Sequence, residues 1–260
     1  MLEVIDKGRC TDEHAAPLLF VHGGTLAAWC WDEHFLDFLA DKGFRAVAVS
    51  LRGHGASTLS QALNSCSIAD YVDDVRATVE VLGGQSVLIG HSMGCLVVQK
   101  YLEKHQAPVA VLMAPATPQG VRRITLRMIR SHPRSVLRAN TFGSSADLFN
   151  TPALARKHLF CAHTPEPIVT SCAARIQPES ARAGLELMIR FPDARSVTAP
   201  VLVLGATDDG SRADGEVSAV ARAYQTDAEF FPHMGHMMML EPGWLSVAER
   251  IEGWLGSQGL

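Results

Sequence analysis

The sequence lacks the features that mark exported, membrane-spanning and nucleic-acid-binding proteins. Its first ten residues, MLEVIDKGRC, carry charges throughout and have no apolar core, so we expect no signal peptide. No uninterrupted apolar run is long enough to cross a bilayer. The formal net charge of −4 provides no basic balance for nucleic acid. These absences predict a cytoplasmic protein that has no transmembrane segment and binds no nucleic acid.

Cysteine pairs with metal-binding or redox spacing are also lacking. The six cysteines are scattered without any Cys-x-x-Cys motif, so neither a zinc site nor a thioredoxin-like pair is indicated. We expect reduced thiols, no metal and no cofactor. The residues concerned are Cys10, Cys30, Cys66, Cys95, Cys161 and Cys172.

Short apolar runs alternate with longer segments of helical periodicity along most of the 260 residues. Continuous apolar runs such as PLLFVHGG and APVLVLGATDD are typical of parallel strands that are buried on both faces. The amphipathic segments between them would cover those faces. The pattern predicts an α/β fold with a mostly parallel, doubly wound sheet.

This alternation is interrupted between residues 118 and 192, where no comparable strand signal occurs and several prolines divide helical segments. We predict a helical cap, or lid, at 118–192, inserted into a core formed by 1–117 and 193–260. The cap contains 11 Lys and Arg against 4 Asp and Glu, a formal charge of +7, whereas the remainder has 12 against 23, or −11. The cap is therefore basic and the core acidic.

One cap segment, VRRITLRMIR, has a basic face and an apolar face at helical spacing. A solvated outer face over an apolar inner face explains this pattern in the simplest way. The alternative is attraction of an anionic substrate or a transient contact with an acidic lipid surface. The basic residues are Arg123, Arg127 and Arg130, and the apolar ones are Val121, Ile124 and Met128.

A serine stands between two glycines in Gly90-His91-Ser92-Met93-Gly94. The G-x-S-x-G pattern is weak by itself, but here a strand-like VLIG precedes it and a helix-like CLVVQKYL follows it. Such a turn projects a serine hydroxyl above the carboxyl end of the sheet, beside the positive end of the next helix. We predict that Ser92 is a nucleophile.

A serine nucleophile needs a base, and the base needs an acid. His236, in PHMGHMMMLEP, follows the last strand-like run and is the predicted base. Asp208 closes the strand VLVLG and is the predicted acid. Asp209 follows at once, and only one of the two aspartates can be directed at the imidazole.

Backbone donors for an oxyanion are expected from the amide of Met93 and from the loop after the first long strand, His22-Gly23-Gly24-Thr25. We assign the second donor to Gly24, with Thr25 as the alternative. His22 and His54 are interpreted as structural histidines of their loops.

The motifs HGG, RGHG, GHSMG, GATD and GHMMMLEP, in this order, resemble the α/β-hydrolase superfamily over the whole chain outside the cap. Capped serine esterases, lysophospholipases and monoacylglycerol lipases look like the nearest relatives. The resemblance implies about eight strands, a helical cap and cofactor-free acyl-enzyme chemistry. Two departures stand out: the N-terminus is short, and the stretch DGSRADGEV after Asp208 lacks the proline often found there.

The resulting expectation is hydrolysis of a carboxylic ester with a hydrophobic acyl group, on a small-molecule or lipid-like substrate. Serine rather than aspartate between Gly90 and Gly94 argues against a similarity in reaction to family members that open epoxides or dehalogenate, because those use an aspartate there. Three alternatives stay open: a lyase or carbon–carbon bond hydrolase, a cofactor-free perhydrolase, and a ligand-binding receptor with little turnover.

Substrate contacts are expected from Thr25, Trp29, His91 and Met237. Further apolar wall residues would be Trp31, Phe142, Phe149, Phe160, Met238 and Met239.

Overall fold

A computed structural model describes residues 1–131, 145–211 and 215–260. The strands are β1 (Val4–Lys7), β2 (Leu18–Val21), β3 (Ala46–Val49), β4 (Val87–His91), β5 (Ala110–Met113), β6 (Val201–Ala206) and β7 (Ala228–Phe231). The helices are α1 (Trp29–Asp32), α2 (Phe35–Asp41), α3 (Ile68–Val81), α4 (Met93–Leu102), α5 (Pro118–Ser131), α6 (Pro152–Leu159), α7 (Glu166–Ala174), α8 (Ala181–Ile189), α9 (Glu216–Ala223) and α10 (Trp244–Ser257). Short 3-10 helices lie at Leu63–Ser65, Ser145–Leu148 and Ala194–Ser196.

The strands form one sheet in the order β1-β3-β2-β4-β5-β6-β7. All neighbours are parallel except β1, which runs antiparallel to β3 at one edge. This confirms the predicted fold class. The described residues contain seven strands rather than about eight, because the short segment before β2 supplies a single antiparallel strand.

Side-chain alternation along the inner strands divides the core into two layers, one on each face of the sheet. Leu18 and Phe20 of β2 pack on the layer that includes α1, α2 and α10. Leu19 and Val21, pointing the other way, pack on the layer that includes α3, α4 and α9. Burial on both faces explains why β2 to β6 are apolar almost throughout, with His91 at the end of β4 as the exception.

Between β5 and β6, every element of regular secondary structure that the structure describes is a helix, from α5 to the 3-10 helix Ala194–Ser196. Local signals start these helices: Thr151 caps α6 by accepting the Leu154 N–H at 3.3 Å, and Ser180 caps α8 by accepting the Ala183 N–H at 3.2 Å. The division at residues 118 and 192 stays a prediction.

Within the described ranges, no helix is long and apolar enough to cross a membrane. Arg123 and Arg130 of α5 are exposed, and Val121 is half-buried. The side chains of Ile124, Arg127 and Met128 lie outside the described part of the chain, as does residue Phe142.

Candidate functional site

The turn between β4 and α4 holds Ser92 at φ +52° and ψ −114°, in a backbone region that non-glycine residues rarely adopt. The flanking glycines make room for it. A Cβ at Gly90 would lie 2.8 Å from the carbonyl carbon and oxygen of Gly94. A Cβ at Gly94 would collide with the carbonyl oxygen of Val21. Both positions therefore require glycine.

Three backbone hydrogen bonds of Ser92 hold this strained turn in place, one within the turn and two to neighbouring segments. The Ser92 N–H donates to the carbonyl of Met113, at the end of β5, at 3.0 Å. The Ser92 carbonyl accepts the N–H groups of Cys95 and Ala116 at 3.1 and 3.2 Å. Strain of this kind costs about 1–3 kcal/mol and persists only where the surrounding structure over-determines it.

His236 lies against the serine side chain. Its Nε2 is 2.9 Å from Ser92 Oγ, and the residue is almost fully buried. The carbonyl of His236 accepts a hydrogen bond from His91 Nε2 at 3.0 Å. The N–H of Met237 donates to the carbonyl of Leu159, at the end of α6, at 2.9 Å. The backbone on both sides of the imidazole is thus fixed, once by the core and once by the predicted cap.

The carboxylate beside His236 belongs to Asp209, so the placement of Asp208 there is wrong. Asp209 Oδ2 lies 2.7 Å from His236 Nδ1, and Asp209 is buried. Backbone hydrogen bonds from Thr207 to Phe231 and from Asp208 to Met234 fix the intervening turn. This turn leaves the Asp208 side chain exposed, where it accepts only the hydroxyl of Thr207 among the hydrogen bonds of the described residues.

Ser211 completes this arrangement, although no motif in the sequence identifies it. Its hydroxyl donates to Asp209 Oδ1 at 2.5 Å, and its N–H donates to the same oxygen at 2.8 Å. The Ser211 Oγ also lies 3.1 Å from His236 Nδ1. Ser211 therefore orients the Asp209 carboxylate through one oxygen and leaves the other for the imidazole. The only sequence signal was the unusual stretch DGSRADGEV.

The loop after β2 passes directly against Ser92. A Cβ at Gly23 would lie 3.0 Å from the Ser92 Cβ and 2.8 Å from His91 Nδ1. In the described part of the chain, neither the Gly24 nor the Met93 N–H donates to a protein acceptor. The Thr25 N–H is different, since it donates to Glu179 Oε2 at 3.3 Å. Of the two donors considered for this loop, Gly24 is the one left available.

A family model described as the alpha/beta hydrolase family matches residues 18–248 of the chain. The chain belongs to this family. A bifunctional esterase/perhydrolase of Acinetobacter calcoaceticus is 31% identical to this α/β hydrolase in a 211-residue alignment that covers 75% of each protein. A non-heme haloperoxidase of Rhodococcus erythropolis is 36% identical over 106 residues, 39% of this chain and 38% of that protein.

The fold of this α/β hydrolase is also that of a thermophilic esterase from Thermogutta terrifontis. The TM-score is 0.76 at 23% sequence identity, with 100% of this chain and 94% of the other covered. Together with the esterase/perhydrolase and haloperoxidase relatives, this family membership shows that the α/β hydrolase is an enzyme.

The predicted substrate contacts of this α/β hydrolase occupy different environments. His91 is fully buried and donates to the His236 carbonyl, so it supports the loop that carries His236. Met237 is buried in the core layer of α1, α2 and α10. Trp29 is partly buried, and the Arg175 guanidinium lies 3.8 Å from the centre of its ring. Their roles toward substrate stay predictions.

Most of the other residues expected in an apolar pocket wall belong to the same core layer, which extends from the sheet into the predicted cap. The residues that the structure describes are Trp31, Phe149, Phe160, Met238 and Met239. Phe142 lies outside the described residues.

The pKa values of the two loop histidines are shifted in opposite directions. His22 donates from Nδ1 to the Gly23 carbonyl at 2.7 Å and accepts the Leu51 N–H at Nε2 at 3.0 Å. Complete burial, aided by nearby His54, lowers the pKa of His22 to about 3, so it is neutral. Burial also opposes charge on His54, but the Glu179 carboxylate outweighs it and raises the His54 pKa.

Proposed function

We propose that this α/β hydrolase cleaves carboxylic esters with a hydrophobic acyl group through an acyl-serine intermediate on Ser92. The observation that carries the proposal is the continuous hydrogen-bonded line Ser92–His236–Asp209, with contacts of 2.9 and 2.7 Å. Serine, imidazole and carboxylate in this order are the arrangement that activates a hydroxyl for acyl transfer.

In the first half of the proposed reaction, Ser92 Oγ attacks the ester carbonyl carbon while His236 Nε2 takes the hydroxyl proton. Asp209 accepts from His236 Nδ1, fixes its tautomer and stabilises the imidazolium that forms. The amides of Gly24 and Met93 donate to the developing oxyanion, next to the N-terminus of α4. His236 then protonates the alcohol that leaves.

In the second half, His236 takes a proton from water, and the resulting hydroxide attacks the acyl carbon. The tetrahedral intermediate collapses, Ser92 recovers its proton from His236, and the carboxylic acid leaves. Ser211 supports both halves by holding one oxygen of Asp209, so that the other faces the imidazole.

The preference for a hydrophobic acyl group is supported by buried apolar residues in the segment after His236 and just after the end of α6. Met237, Met238 and Met239 follow the imidazole directly and are buried, as is Phe160 of the segment that follows α6. Methionine and aromatic side chains form adaptable apolar walls.

The test is hydrolysis of p-nitrophenyl esters from acetate to palmitate by the wild type and by Ser92→Ala. The proposal expects a chain-length optimum above acetate that disappears in the variant. Turnover that survives in a folded Ser92→Ala protein, or a preference for acetate alone, would contradict it.

Perhydrolysis is a second candidate, because the relative from Acinetobacter calcoaceticus is described as a bifunctional esterase/perhydrolase. Hydrogen peroxide would replace water in attacking the acyl-Ser92 carbonyl, giving a peracid and free serine. The measurement is peracid formation from an ester and peroxide, with Ser92→Ala as control. If the free carboxylic acid is the only acyl product when peroxide is present, perhydrolysis is excluded.

Transient contact of the cap with an anionic lipid surface is proposed for α5, α8 and the two residues after α8. Apolar side chains about half exposed lie among arginines there, and the α5 residue Thr125 contacts Met188 of α8. The apolar residues are Leu126, Leu185, Ile189 and Phe191, and the arginines are Arg122, Arg123, Arg130, Arg182 and Arg190.

Such a mixed surface suits the boundary of an acidic membrane. Co-sedimentation with phosphatidylglycerol vesicles, compared with phosphatidylcholine vesicles, tests the contact. Equal sedimentation with both would count against it.

A further inference from the structure

The segment 177–180 of the predicted cap holds the loop that carries the Gly24 amide. Thr25 has φ +65°, an unusual conformation for a β-branched residue. Gln177 donates its N–H to the Thr25 carbonyl at 2.9 Å, and Glu179 Oε2 accepts the Thr25 N–H at 3.3 Å. The strained residue is therefore bound on both sides of its Cα by a segment more than 150 residues away in sequence.

The carboxylate of Glu179 is itself fixed by donors from several elements. Its Oε1 accepts the hydroxyl of Tyr71 at 2.5 Å and the N–H of Ser180 at 2.7 Å. Its Oε2 lies 3.2 Å from His54 Nε2. Only 8% of Glu179 is exposed. A buried carboxylate with this many partners has one orientation, so it is suited to set the position of the group that it binds.

The charge of Glu179 is also compensated. Burial acts to raise the pKa of this carboxyl, but His54 together with the hydrogen bonds from Tyr71 and Ser180 lowers it below its ordinary value. Glu179 is therefore ionised, and protonated His54 is its counter-ion. When His54 is protonated, the pair carries no net charge that would oppose a developing oxyanion nearby.

Gly24 lies between this carboxylate and the start of α4. A Cβ built on Gly24 would be 3.5 Å from Glu179 Oε2 and 3.8 Å from Met93 Sδ. The peptide plane between Gly24 and Thr25 is thus anchored through the Thr25 N–H, and any shift of this loop moves the Gly24 amide as well. The position of a single donor is worth a large factor in rate, because an oxyanion is stabilised only by donors already in place.

We propose that Glu179 is a positioning residue, which holds the Gly24–Thr25 loop in the conformation that directs the Gly24 amide at the oxyanion above Ser92. This inference rests on the proposed function, in which Gly24 is an oxyanion donor. It makes docking of the cap segment at 177–180 a requirement for the chemical step. The cap thereby contributes to catalysis through the oxyanion loop.

Glu186 provides a matched control. It is also a cap carboxylate, it is 7% exposed, and it also accepts a core backbone amide, the Ile68 N–H at 3.1 Å. It is paired with Arg182 and Arg190 of its own helix region. Its core partner is the start of α3 rather than the loop after β2. Glu179→Gln and Glu186→Gln therefore each weaken one carboxylate contact between cap and core, but only the Glu179 contact involves the loop of Gly24.

The experiment compares kcat and KM for p-nitrophenyl butyrate, and the affinity for an alkyl trifluoromethyl ketone, among wild type, Glu179→Gln and Glu186→Gln. The ketone forms a tetrahedral adduct with a serine nucleophile and so reports the oxyanion site. In Glu179→Gln we expect kcat and ketone affinity to fall about 10- to 100-fold, with KM changed less than about threefold. Glu186→Gln should keep all three within about threefold.

Unchanged kcat in Glu179→Gln, or equal losses in both variants, would overturn the inference. If Glu179→Gln does not fold, Tyr71→Phe removes one donor to the carboxylate and should lower kcat about 3- to 10-fold at constant KM; an unchanged kcat overturns the inference there too. Ser92→Ala distinguishes a failure of this inference from a failure of the proposed function. Ser92-dependent turnover with a fully active Glu179→Gln refutes the positioning role alone, whereas turnover or adducts independent of Ser92 refute the proposed function.

Discussion

Asp209 lies 2.7 Å from His236 Nδ1, whereas the side chain of its neighbour Asp208 is exposed. Two adjacent aspartates therefore have opposite environments, and only one of them contacts the imidazole. This difference provides a matched pair of substitutions at neighbouring positions.

Asp209→Asn should lower kcat about 10²- to 10⁴-fold, because an amide neither stabilises the imidazolium nor enforces the required tautomer. Asp208→Asn should stay within about threefold of the wild type. Steady-state kinetics on one ester decides between them. A severe loss in Asp208→Asn with an active Asp209→Asn would mean that the loop is arranged differently during turnover.

The glycines of the turn give a prediction about stability. Gly94→Ala places a methyl group against the Val21 carbonyl of β2, so the free energy of unfolding should fall by about 2 kcal/mol or more. Gly253→Ala, in α10, is the control. Its Cβ would meet nothing within 4 Å, and alanine should stabilise the helix by about 0.5–1 kcal/mol. Denaturant unfolding of both variants tests this, and equal stabilities would contradict it.

Glu241 should be needed to hold the loop that carries Gly235 and His236. It is 1% exposed and accepts the N–H groups of Gly235 and Cys161 at 2.9 and 2.8 Å. Glu241→Ala leaves these buried donors without a partner, at a cost of about 1–3 kcal/mol each. We expect a matching loss of stability and a lower kcat, because Gly235 precedes His236. The exposed Glu249→Ala should change neither, and a neutral Glu241→Ala would refute the assignment.

The ion pair between His54 and Glu179 predicts a defined pH window. The His54 pKa is raised, so its stabilising contribution is complete below pH 6.5 and is lost as the pH rises through the folded value. The Glu179 pKa is lowered, so its contribution is complete above pH 4.5 and is lost as the pH falls through its folded value. The pair therefore stabilises the fold most between these limits.

His54→Gln should accordingly cost the most stability in weakly acidic solution and progressively less toward alkaline pH. The other groups facing His54 do not titrate in this range: burial lowers the pKa of His22 to about 3 and raises the pKa of Tyr71 above its ordinary value. Thermal unfolding of the wild type and of His54→Gln from pH 5 to pH 9 measures the difference in stability between them. A difference that is constant across this range, or that grows with pH, would contradict the ion pair.

The sequence predicts those parts of the site whose contacts join residues close together along the chain. Ser92 lies in a turn whose strand, glycines and helix are all within ten residues, so local pattern locates it. His236 was located by its place after the last strand. The choice between Asp208 and Asp209 depends on the course of one turn, which neither composition nor periodicity determines.

The contacts of Glu179 could not be predicted from sequence at all. Its partners Thr25, His54 and Tyr71 are far away along the chain, and a glutamate beside a proline in a basic cap has no pattern that distinguishes it from a surface residue. The sheet, by contrast, follows from continuous apolar runs, because burial on both faces leaves a signal in every inner strand. Long-range polar contacts leave no comparable signal.

The most direct test of the central claim is to trap the acyl-enzyme. The protein is incubated with p-nitrophenyl butyrate, quenched in acid during turnover, digested and analysed by peptide mass spectrometry. The account predicts one butyryl group, on the peptide that contains Gly90 to Gly94, located at Ser92 and absent from Ser92→Ala. Turnover with no covalent adduct, or an adduct on another residue that survives in Ser92→Ala, would contradict it.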